Sequence, residues 1–368
     1  MIAAAWFMVC LAGCWDYRDI NKVNFPLAGA YDLHPASRTG NDEKDELYDL
    51  TVILPNLAED AREKYRVEKT TGFSIGQARG NKAYSSAGPY SAGGSLVIIA
   101  GEELAKKGLS GVYESLFRAP LISSIQNLAV AEGRAESIME VQVKDYPSMA
   151  DFLKGLLPKA NERGFIPSIT LHQFEMSQAP GRNPFLPLIK AHRGEAAIIG
   201  GAIFKKDRMI GKANLAETRC ILLLRGVKCT GNLPFVISRE GRPLDRGSVD
   251  IRNSREVKIV GSPGNISYTI KIKLKGSLVE HECKLSLSKD ENLKKMIEEQ
   301  ISSNVKNECE RYVKVIQEKH KVDCIDISKY ALAKWGKQIE AEIDKDFIEN
   351  VDIKVEVETK LTDIGELN

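Results

Sequence analysis

The 368-residue chain has no block of single-sign charge: 52 Lys and Arg are set against 50 Asp and Glu, for a formal net charge of +2. Without a basic stripe nothing can follow a phosphate backbone, so nucleic acid is not expected as a partner. Proline and glycine are sparse at 14 and 29 residues, and with 43% hydrophobic and 28% charged residues this excludes collagenous and disordered classes. Beyond position 13 no apolar run approaches the roughly 18 residues of a membrane-crossing helix. At roughly 100 to 200 residues per domain, the length instead predicts two or three globular domains.

Chemistry-bearing patterns are missing too. The 7 cysteines include no C-x-x-C pair, and no histidine stands at ligand spacing, so neither a zinc site nor a disulfide framework is expected. Cys220 and Cys229 flank Ile221 to Leu224, where they read as buried free thiols or as partners across a hairpin. There is no G-x-S-x-G, H-E-x-x-H, P-loop or G-x-G-x-x-G. Glu59, Asp60 and Glu63 read as solvated surface, and Gly93-Gly94-Ser95 reads as a turn or, less simply, an anion cradle. No catalytic residue, metal ligand or cofactor is expected.

What is present begins at the first residue. Met1 to Gly13 carries no charge, and thirteen helical residues reach only ~20 Å of a ~30 Å hydrocarbon core. That suits the apolar region of a signal peptide. The run ends Leu11-Ala12-Gly13-Cys14, which resembles a bacterial lipobox; Cys14 is then the expected site of lipid attachment, and residues 1–13 are removed.

Periodicity organises the rest. Leu47 to Leu54, Ser95 to Ala100 and Leu128 to Ala131 read as strands. A helix is predicted after Gly101 from Leu104, Leu109, Val112 and Leu116, a short one over Ala135 to Met139, and one capped by Ser148 with Asp151. Pro180, Pro184 and Pro187 suggest an irregular connection and a boundary near Glu195. Beyond it a β-rich region opens with a strand from Ala196, a turn at Lys205 to Arg208 and a return strand. Ile266 to Leu274 and Val351 to Val357 alternate as half-buried strands. Between them, a stripe from Leu293 to Ile316 predicts one long amphipathic helix, and Ile327 to Ile343 a second. The expected fold is a multidomain α+β chain: an α/β domain over 14–195, a β-rich middle domain over 196–255, and an α+β domain over 256–368 with an antiparallel sheet packed by long helices.

Cys14-Trp15-Asp16-Tyr17-Arg18-Asp19-Ile20 resembles the mature start of the Ger(x)C lipoproteins, the C subunits of spore germinant receptors. The likeness continues through Val97 to Leu109, Leu116 to Pro120, Gly200 to Asp207, Asp323 to Ile327, and Trp335 to Gly365. It implies three unlike domains, anchoring through Cys14 on the outer face of the spore inner membrane, assembly with two integral-membrane subunits, and no enzymatic activity. The alternative from another class is an extracellular solute-binding lipoprotein of a transporter, which should show two similar α/β lobes around a hinge cleft.

Overall fold

The computed structural model describes residues 23–38, 46–56, 62–86, 88–119, 122–192, 194–239, 242–281, 291–343, 345 and 347–364. Eight strands form the first sheet: β1 (Ala28–Leu33), β2 (Tyr48–Pro55), β3 (Tyr65–Gly72), β4 (Val97–Gly101), β5 (Asn127–Ala131), β6 (Phe185–His192), β7 (Glu195–Lys205) and β8 (Arg208–Asn214). Their order is β3-β2-β1-β4-β5-β6-β7-β8, with β1, β4, β5 and β6 mutually parallel and the outer pairs antiparallel. The intervening helices are α1 (Ile75–Asn81), α2 (Glu102–Lys107), α3 (Ser110–Phe117), α4 (Glu136–Met139), α5 (Met149–Leu156), α6 (Ala160–Arg163) and α7 (Leu171–Met176).

The unbroken apolar run Val97 to Ala100 follows from burial on both faces of a parallel strand. Ile98 and Ala100 pack with Ala78 of α1, Leu104 of α2, Val112 and Leu116 of α3, and Phe174 of α7. Val97 and Ile99 face the other way, towards Ile138 of α4 and Leu153 of α5. The α5 start is capped as expected, the Asp151 N–H donating to Ser148 Oγ at 3.2 Å. The helix expected after Gly101 is two helices. Gly108 breaks it with φ +137°, a conformation open mainly to glycine.

The proline tract is not wholly irregular, since Pro184 is followed at once by β6. Pro187 lies inside that strand where only β7 pairs with it, beside a register shift at Leu188/Ile189, so its missing N–H costs no sheet bond. The segment expected as a middle domain, over 196–255, contributes strands to both sheets. Glu195 pairs with His192 in the β6–β7 hairpin, so β7 and β8 belong to the first sheet.

After β8 comes α8 (Leu215–Arg225), a helix where β structure was expected. Asn214 and Glu217 form a reciprocal capping box, and Gly226 closes the helix in the left-handed region. Cys220, Ile221, Leu222, Leu223 and Leu224 are all buried, as befits a helix enclosed between the two sheets.

The second sheet contains β9 (Thr230–Arg239), β10 (Arg242–Ser262), β11 (Asn265–His281) and β12 (Asp352–Ile364), in the order β12-β11-β10-β9. Its helices are α9 (Glu291–Val315), continued by a π turn at Ile316–His320, then α10 (Ser328–Trp335) and α11 (Lys337–Ile343). The expected antiparallel pattern holds for β9, β10 and β11, but β12 runs parallel to β11. The α9 to α11 segment is the long crossover that a parallel pair requires. Leu293, Ile297, Ile301, Val305, Cys309 and Tyr312 of α9 are buried in one cluster with Tyr268, Ile270, Ile272 and Leu274 of β11. At about 1.5–3 kcal/mol per fully buried aliphatic side chain, this seam stabilises the sheet substantially. The other sheet face is polar, with Lys271–Glu358 at 2.8 Å and Lys273–Glu256 at 2.5 Å.

Candidate functional site

Cys14, the expected lipid site, lies outside the described residues, as do Trp15 to Ile20, Glu59 and Asp60. Gly94 packs against the Phe25 side chain, and Ser95 is buried, its hydroxyl donating to Val97 O at 3.4 Å. Among the described residues no group of three or more His, Cys, Asp or Glu converges as a metal site. No described helix is long and apolar enough to cross a membrane. Cys220, Cys229, Cys309 and Cys324 are free and buried, and Cys220 lies in a helix, not across a hairpin from Cys229.

The structure brings together segments that are far apart in sequence. At the carboxyl end of β4, Gly101 lies against Asp32 of β1, whose side chain is 2% exposed. Asp32 accepts the N–H groups of Ala135 at 2.8 Å and Glu136 at 2.9 Å, which anchors the start of α4. Burial pushes the Asp32 carboxyl above its usual range, and those two donors together with Arg134 pull it back only in part. The next residue, Glu102, is partly desolvated, yet bonds from Lys212 at 2.8 Å, Lys106 at 2.9 Å and the Gly133 N–H hold its pKa down at about 2. Lys212 also meets Glu132, and Glu132 meets Lys190 at 2.6 Å. A line of alternating charges therefore crosses the ends of β4, β5, β6 and β8.

The Val97 to Leu109 and Gly200 to Asp207 segments meet at the β7–β8 turn. Leu109 N–H donates to Asp207 O at 3.0 Å and Ser110 N–H to Asp207 Oδ2 at 3.1 Å. A Cβ at Gly108 would stand 2.7 Å from that carboxylate. On the other side of the turn, Lys206 N–H donates to Asn183 Oδ1 at 3.0 Å, and Asn183 Nδ2 donates to Asp323 O at 3.2 Å. Arg225 at the end of α8 donates to the carbonyls of Asn183 and Cys324. Asp323 is buried and accepts both the N–H and the hydroxyl of Ser328, capping the start of α10. Asn183 thus joins the β7–β8 turn of the first sheet to the segment before α10, a role its place in a proline-rich tract did not suggest.

Two family models cover nearly all of this framework. "Spore germination protein N-terminal domain" matches residues 16–191, and "Spore germination B3/GerAC like, C-terminal" matches residues 199–365. The chain belongs to the GerAC-like spore germination family. Among relatives, spore germination protein B3 of Bacillus subtilis (strain 168) is 22% identical over 381 residues, 98% of this chain and 96% of that one. Spore germination protein GerQC of Bacillus cereus is 21% identical over 290 residues, 78% of each chain. The crystal structure of the GerBC protein superposes with a TM-score of 0.58 at 17% identity, covering 94% of this chain and 99% of that one. GerBC therefore shares the α+β fold. The two family models meet in the β6–β7 hairpin, inside the continuous first sheet.

Proposed function

We propose that this GerAC-like chain is a lipid-anchored, non-catalytic subunit of a nutrient germinant receptor. Cys14 holds it on the outer face of the spore inner membrane, where it assembles with two integral-membrane subunits. The observation that carries the reading is the family match over both halves of a chain whose apolar start ends in Leu-Ala-Gly-Cys. One acyl chain binds a bilayer only marginally, whereas two or three, at about 0.8 kcal/mol per buried methylene, hold a protein there. The nine positions from Cys14 to Val23 reach at most about 30 Å, so the folded body stays near the bilayer. Confinement raises the local concentration of membrane partners, and weak contacts then suffice.

Glu102, Glu132 and Glu136 each pair with Lys or Arg and are held ionised, which suits structural pairing better than proton transfer at neutral pH. The two sheets differ in strand number and connection, which favours a receptor subunit over a solute binder built of two similar lobes. The test is Cys14→Ala in the native host. Release of the chain from spore membranes, with slowed nutrient germination, is the expected outcome. Full membrane retention of the variant would refute the anchor, and failure to co-purify any integral-membrane subunit with the wild-type chain would refute the assembly.

A further inference from the structure

A cavity of about 320 Å³ lies between β1, β2 and α1 of the first sheet, at the lower end of the size range of small-molecule sites, roughly 300–1,000 Å³. Glycines create it. Gly29 gives β1 no side chain beside Tyr31 on this face. On α1 a Cβ at Gly80 would meet nothing within 4 Å, and one at Gly76 nothing nearer than 3.9 Å. Leu50, Val52, Leu116 and Ile122 supply an apolar lining, and Arg79, Lys82, Tyr90 and Ser95 supply polar groups.

Two kinds of cationic group line the cavity. Lys82, 2% exposed, lies 3.4 Å from Glu68. The same carboxylate accepts the Tyr90 hydroxyl at 2.5 Å and Arg66 Nε at 2.7 Å, so two cations already share one anion. Arg79 adds a third. Its Nη1 donates to Ser115 O at 2.7 Å and Ser115 Oγ at 3.3 Å, and among the described residues no carboxylate pairs with it. A guanidinium with donors to spare at the edge of a partly apolar cavity matches the fork geometry of a carboxylate.

We infer that this cavity binds a small organic carboxylate, its apolar body over Leu50, Val52 and Leu116 and its carboxylate on Arg79. The inference does not depend on the receptor reading. Calorimetric titration of the whole chain with hexanoate, hexan-1-ol and hexylammonium tests it. Hexanoate should saturate one site at least tenfold more tightly than hexan-1-ol, and hexylammonium should not bind. Arg79→Gln should weaken hexanoate at least tenfold and leave hexan-1-ol unchanged. Gly80→Leu should abolish binding of both by filling the space, with a Tm no lower than wild type because leucine is the better helix former. No saturable binding, equal affinity for hexanoate and hexan-1-ol, or wild-type hexanoate binding by either variant would overturn the inference.

Discussion

The substitution Gly101→Ala adds one methyl group at the contact between two segments, and its cost can be worked from the geometry. Gly101 has φ −67° and ψ 152°, which alanine adopts freely, so the penalty is steric. The new Cβ would lie 2.0 Å from Asp32 Oδ1 and 3.3 Å from Gly133 O. Relief requires the carboxylate to retreat by on the order of 1 Å, which stretches its bonds to the Ala135 and Glu136 N–H groups beyond hydrogen-bonding range. Each such charge-assisted bond contributes about 1.5–3 kcal/mol, and the stiffer unfolded chain returns about 0.4–1 kcal/mol. The expected net loss is about 2–5 kcal/mol, read as a lower urea midpoint by circular dichroism. Gly111→Ala is the control: Gly111 is an exposed position of α3 and its Cβ would meet nothing within 4 Å, so its midpoint should stay or rise. Combining Gly101→Ala with Asp32→Ser should cost less than the sum of the two changes, because the clash partner is gone. A wild-type midpoint for Gly101→Ala, or strict additivity in the pair, would refute the reasoning.

The charge line and the thiols give two further expectations. Glu102 ionises more readily in the fold, at about 2 against an ordinary 4.5, so its stabilisation is complete above about pH 4.5 and is lost as pH falls towards 2. Glu102→Gln should therefore lower stability at pH 7 by about 1–2 kcal/mol, after allowance for solvent screening, and flatten the pH dependence between 4.5 and 2; an unchanged acid-unfolding profile would contradict this. Burial pushes the Cys229 and Cys324 thiols up to about 12, so at pH 8 neither should react with an aromatic disulfide reagent until the chain is unfolded in denaturant. Rapid modification of either in the native protein would show that its surroundings are open.

Where side-chain periodicity was strong, the sequence was legible. The alternation from Ile266 to Leu274, the stripe from Leu293 to Ile316 and the Ser148 cap all lie in the elements they predicted. The second long helix, read as one from Ile327 to Ile343, is broken into α10 and α11 at Gly336, whose φ is +57°. The helix α8 was missed because Ile221 to Leu224 is apolar at every position, and such a run has no period of its own. Its signals were the Asn214 to Glu217 box and Gly226. The cavity was missed for a different reason. Gly76 and Gly80 sit in a polar stretch without apolar periodicity, and only on α1 do they come together beside the cavity.

The amino-acid order alone determined which segments are strands or helices with one buried face, because that depends on spacing within a few residues. It also displayed the uncharged start ending in Cys14. The tertiary structure decided which strands pair, and so carried the first sheet through Glu195 and set β12 parallel to β11. It also placed Gly101 against Asp32, Asn183 between the β7–β8 turn and the segment before α10, and Arg79 beside an apolar hollow. Such contacts join groups far apart along the chain, and they are fixed by how whole layers pack and by which buried polar groups must find partners, which no local pattern records.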